Sequence, residues 1–177
     1  MTWTDLLISG IDETYKATDQ LMAMVGDDEL DWKPASGSNW MTTGQLLMHL
    51  TNACGLCCQG FVTGDWGLPE GMDMQDLPPD AMLPPAEKLP AVESVADARR
   101  LLAADMELAL RMVDEAGEDR LDNEMLRAPW ASPECADQRL GQHLLGMIEH
   151  LATHKAQLFY YLKLQGKDVN TMHLWGM

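Results

Sequence analysis

EHLATHKAQLFYYL, residues 149–162, carries a helical apolar rhythm with two histidines set into it. Leu151, His154, Leu158 and Leu162 recur at steps of three and four, the spacing that keeps side chains on one helix face. Carried backward, the stripe picks up Leu140, Leu144 and Met147. The pattern predicts a helix from about Asp137 to Gln165, closed by Gly166. His150 and His154 stand four apart, about 40° of rotation and about 6 Å of rise, so both rings lean over the same surface. Two imidazoles placed this way can converge on one metal ion at about 2.0–2.1 Å per bond. The alternative is ordinary packing, with each ring finding its own hydrogen bond.

Three more periodic segments precede it. Thr2 to about Val25 repeats Trp3, Leu7, Ile11, Thr14, Thr18, Leu21 and Val25, and Thr2 with Asp5 resembles a capping box. Thr42 with Gln45 is a capping box in the strict sense. It opens a helix whose stripe, Leu46, Leu50, Ala53, Cys57 and Phe61, runs unbroken to about Gly64. Ser94 caps a third helix on Val95, Ala98, Leu101, Leu102, Leu108 and Met112, which Gly117 stops. Asp105 falls on that apolar side, and the edge of the stripe is its expected place, since buried acids need a partner.

Between the second and third helices, residues 65–93 hold six of the nine prolines and cannot form a long helix. A crossover of this length is either a functional loop or a connector between two helices running the same way. Residues 118–139 form a second irregular stretch. Four amphipathic helices without a convincing strand predict an all-α four-helix bundle with a long crossover between the second and third helices, one domain over 1–177.

The formal net charge of −16 and the pI of about 4.4 repel phosphate, which argues against nucleic acid and anionic membranes as partners. The N-terminal stretch lacks the basic region of a signal or transit peptide, and no apolar run reaches about 20 residues. A cytoplasmic protein is expected. Without a secretory signal, Cys54, Cys57, Cys58 and Cys135 are not read as disulfides first. Cys54-x-x-Cys57 has the form of a redox motif or half a zinc site. Its place inside a helical pattern favours packing as small hydrophobes.

A pair of histidines makes a poor metal site alone. His49 is the natural third ligand, because it lies on the inward stripe of another long helix. His143 lies about 10 Å down the helix axis from His150, too far to join the set, and His173 is incidental. His49, His150 and His154 together would hold a divalent cation and leave positions open. Neutral nitrogens suit zinc, nickel or iron without selecting one.

TTGQLLMHLTNA around His49, followed about a hundred residues later by HLATHKAQLFYYLKLQGKDV, resembles the DinB-like family. DWKPASGSNWMTTGQLLMHL resembles that family's entry into its second helix, and HKAQ resembles its closing run, with Lys155 and Ala156 where Arg and Gly are common. The resemblance implies a four-helix bundle with a metal held by His49, His150 and His154. It also implies kinship with transferases and isomerases that use low-molecular-weight thiols such as bacillithiol or mycothiol. The expected function is a metal-dependent enzyme, a thiol-dependent S-transferase acting on a small-molecule substrate. The alternatives are metal-assisted hydrolysis and a non-enzymatic dimeric bundle that binds a metal or small ligand. A hydrolase would want a base: Glu149 faces about 100° away from His150, and Asp105 is the better-placed acid. Trp66 and Trp130 fall in the irregular stretches, where anchoring a loop is favoured over lining a pocket mouth. A homodimer through exposed apolar helix faces is expected.

Overall fold

In the computed structural model, described for residues 1–69, 71–72, 74, 77–78, 84–132 and 134–177, the elements are α1 (Trp3–Met22), α2 (Thr43–Leu50), α3 (Gly55–Thr63), α4 (Val95–Asn123), β1 (Met125–Leu126), β2 (Gln138–Arg139), α5 (Leu140–Leu164) and α6 (Thr171–Leu174). Positions 70, 73, 75, 76 and 79–83 of the proline-rich crossover, and 133, lie outside the described residues. Three caps set the main helix starts. Thr2 and Asp5 exchange hydrogen bonds, Thr42 and Gln45 do the same, and the Ser94 hydroxyl accepts from the Asp97 amide.

The side chains that meet give the helix directions. Arg99 near the start of α4 pairs with Asp19 near the end of α1, and Glu118 near the end of α4 accepts from the amides of Trp3 and Thr4. These two helices are antiparallel. Gly55 and Leu56 bond Asp105, while the Arg120 guanidinium donates to the Val62 carbonyl, so α3 runs parallel to α4. His150 meets Ala53 and His143 meets Phe61, so α3 and α5 are antiparallel. The result is an up-down-down-up bundle of four main helices, counting α2 and α3 as one. Two successive helices running the same way require the long crossover. Gln45 holds its far end, its amide donating to the carbonyls of Ala86 and Leu89 at 2.7 and 2.8 Å.

The core is the set of stripes read from the sequence: Leu7, Ile11 and Leu21 from α1, Leu46 and Leu50 from α2, Leu102 from α4, and Leu140, Leu144, Leu151, Leu158 and Leu162 from α5 are all buried. Each such side chain contributes about 1.5–3 kcal/mol by leaving water. Lys155 is buried too; its ammonium donates to the Leu174 carbonyl at 2.8 Å and so ties α6 back onto α5.

Four features depart from the sequence reading. Gly117, at φ 67°, kinks α4 instead of ending it, and the helix resumes to Asn123. A two-residue antiparallel ladder joins Met125 to Arg139 and Leu126 to Gln138, which delays the start of α5 to Leu140. The helix expected from Thr42 to Gly64 breaks between Leu50 and Gly55. Asp105 is the fourth, and it accounts for the break. Only 5% exposed rather than at a stripe edge, it accepts from the Gly55 and Leu56 amides, both at 3.0 Å, and from the Tyr15 hydroxyl at 2.6 Å. It supplies the partners that the first amides of a helix lack and sets a carboxylate at the positive end of α3. A Cβ on Gly55 would lie 2.1 Å from the Asp105 carbonyl oxygen, so a glycine must stand there.

Candidate metal centre

His49 sits in the last turn of α2, one residue before the break; His150 and His154 sit mid-way along α5. The antiparallel packing of α2 against α5 brings the three rings together. The Nε2 atoms of His49 and His154 are 2.9 Å apart, as are those of His150 and His154. All three ligand atoms lie within 4.8 Å of one another, and all three residues are half-buried.

Hydrogen bonds on the far side of two rings fix their tautomers. His150 Nδ1 lies 3.0 Å from the Ala53 carbonyl, which can only accept, so Nδ1 carries the proton and Nε2 the lone pair. The helix break is what leaves that carbonyl turned toward α5. His154 Nδ1 lies 2.7 Å from Gln157 Oε1 and donates in the same manner. Two lone pairs then face each other at 2.9 Å, a repulsive arrangement unless a cation stands between them. Two nitrogens about 2.0–2.1 Å from one ion, with bonds at about 90°, lie about 2.9 Å apart. Burial, reinforced by His154 and His150, pushes His49 down to about 4, so its ring is neutral at pH 7. Burial also lowers His154, against the opposing pull of Gln157. Neutral, convergent and braced from behind, the cluster can hold a metal ion.

A sequence profile of the DinB superfamily matches residues 11–158. The protein belongs to the DinB superfamily. No curated protein and no solved structure gives a significant match. The DinB bundle accounts for the all-α fold with four main helices, and the matched span includes all three histidines of the cluster. Among the described residues of this DinB protein, no helix is long and apolar enough to cross a membrane.

The other residues singled out from the sequence lie elsewhere. His143 donates from Nε2 to the Leu126 carbonyl at 2.9 Å and stacks on Phe61, outside the cluster. Glu149 is exposed. The oxygens of Asp105 are taken up by Gly55, Leu56 and Tyr15. Trp66 and Trp130 pack edge-on against each other and against Phe61, which anchors both irregular stretches. Cys54 and Cys58 are buried in the core, and burial first, then Cys54 and Asp105, pushes the half-buried Cys57 up to about 12. Sequence reasoning missed Gln157 and the Ala53 carbonyl. Gln157 was findable, since a residue three beyond His154 shares its face; the carbonyl was not, because it depends on the break.

Proposed function

We propose that His49, His150 and His154 ligate a divalent transition metal and that the protein is a metal-dependent enzyme, a thiol-dependent S-transferase with a small-molecule substrate. The observation that carries the ligand assignment is the confrontation of Nε2 atoms at 2.9 Å with the Nδ1 protons already committed to Ala53 and Gln157. Three neutral nitrogen ligands would suit zinc, nickel or iron without selecting one, and would leave positions open. A dication held by three neutral imidazoles supplies positive charge that favours the thiolate form of a low-molecular-weight thiol at neutral pH.

The chain's own residues support this choice over hydrolysis. Among the described residues the cluster contains no carboxylate, and the two acids considered as bases are exposed or fully engaged. What the protein supplies is fixed ring orientation through Ala53 and Gln157. Gln157→Ala removes one brace without touching a ligand, and its metal affinity, measured by competition with a chelator, is expected to fall about 10–100-fold. Turnover is tested by incubating the metal-loaded protein with bacillithiol, mycothiol or glutathione and a small electrophile such as 1-chloro-2,4-dinitrobenzene. Thioether formation that depends on both metal and His154 supports the transferase. Metal-loaded protein that accelerates ester hydrolysis but no thiol reaction overturns it in favour of a hydrolase.

A further inference from the structure

A second feature shares the α5 face that carries the histidines. A cavity of about 290 Å³ lies between α5 and the described residues that link β1 to β2, with Trp130, His143, Gly146 and Met147 among its lining residues. That volume is at the small end for ligand pockets. At about 100° per residue, positions 143, 146, 147, 150 and 154 fall within about 100° of one another around the helix. Gly146 is one turn, about 6 Å, from His150.

Three details show that this space is built to be filled. Gly146 is mid-helix, where glycine is less stable than alanine, yet a Cβ placed on it would meet nothing within 4 Å. The glycine is not demanded by packing; its effect is to widen the cavity. Trp130 is 46% exposed although two aromatic rings hold it in place, so one side of a fixed indole remains open. His143 is 7% exposed and spends its ring proton on the Leu126 carbonyl, which leaves Nδ1 a lone pair with no partner among the described residues. His143 lines this cavity.

We propose that the cavity over Gly146 is the subsite for the small-molecule substrate, and that it takes a small, flat, mainly apolar compound carrying one hydroxyl or N–H donor. Trp130 and Met147 accept its apolar face and His143 Nδ1 accepts its donor hydrogen; the cluster histidines are not among the lining residues but stand further along the same helix face. The assignment of the occupant as substrate rests on the metal-enzyme reading; the binding site itself does not.

The test is a nitrogen–proton correlation titration with 2-naphthol, and with 2-methoxynaphthalene, which lacks the donor. 2-Naphthol is expected to shift the Gly146 amide and the Trp130 indole N–H saturably and to bind at least about fivefold tighter than its methyl ether. Gly146→Leu fills the cavity from a position with room for it, and is expected to weaken 2-naphthol at least about tenfold while metal content stays at the wild-type value. Trp130→Ala, at the exposed rim, is the second variant and is expected to weaken binding by a similar factor. Shifts confined to other residues, equal affinity for the methyl ether, or wild-type affinity in both variants would overturn the subsite. The same titration on His49→Ala separates the two readings. Cavity binding that persists in His49→Ala leaves the subsite standing without the metal, and wild-type protein that takes up no metal overturns the metal enzyme separately.

Discussion

Protein purified without a histidine tag is expected to carry about one transition-metal ion per chain, and His49→Ala, His150→Ala and His154→Ala to carry almost none. Elemental mass spectrometry of the four proteins makes the comparison. Each ligand lost leaves two nitrogens on the ion, and the affinity falls by more than the 10–100-fold that a lost bracing contact costs, so about 100-fold or beyond. The three losses should be similar, because the Nε2 atom of each residue belongs to one cluster. His143→Ala, seven residues before His150 and bonded to Leu126 instead, should retain its metal. Unchanged metal content in His150→Ala would remove the three-histidine assignment outright. It would return HLATH to packing, with the wild-type nitrogens sharing a proton in place of an ion.

The second large effect is expected at Asp105, which touches no histidine. Asp105→Ala strands the Tyr15 hydroxyl and the amides of Gly55 and Leu56, all of which donate to the carboxylate. An unsatisfied buried donor costs about 1–3 kcal/mol. Three of them, partly relieved by local rearrangement, give an expected loss of about 3–5 kcal/mol, a large fraction of the roughly 5–15 kcal/mol that holds a typical domain folded. The urea midpoint should fall accordingly. Tyr15→Phe removes one donor together with its need for a partner and should cost far less. An unfolding free energy for Asp105→Ala within about 1 kcal/mol of wild type would show that the carboxylate does not hold the start of α3. Metal affinity should weaken alongside stability, since the start of α3 fixes the Ala53 carbonyl that orients His150.

That coupling marks where the sequence is legible and where it stops. The histidine spacing on α5 and the caps at Thr2, Thr42 and Ser94 are local facts, set by residues three or four apart, and each stands where periodicity placed it. The parallel run of α3 and α4 was one of the two readings that the length of the crossover left open. The break after Leu50 is not local. Leu46, Leu50, Ala53, Cys57 and Phe61 keep helical spacing straight through it, and the carboxylate that stabilises the interruption comes from a residue 50 positions away from Gly55. Asp105 itself was misplaced at an edge because a lone acid in an apolar stripe shows nothing of its donors, which belong to two other helices. The cavity over Gly146 was invisible for the same reason. A mid-helix glycine reads as a weak helix former until residues 127–131 and 135–138 pack over it.

The direct contact between His49 and His154 spans 105 residues of chain. A nascent polypeptide therefore has no trace of the cluster until His154 has been synthesised, when α5 emerges and can dock antiparallel on α2. Closing so long a loop is slow compared with forming any one helix. Until then a free metal ion would meet only isolated histidines of low affinity. An ion could be captured only once α2 and α5 have docked, so a loaded centre would certify that these two helices have already found each other.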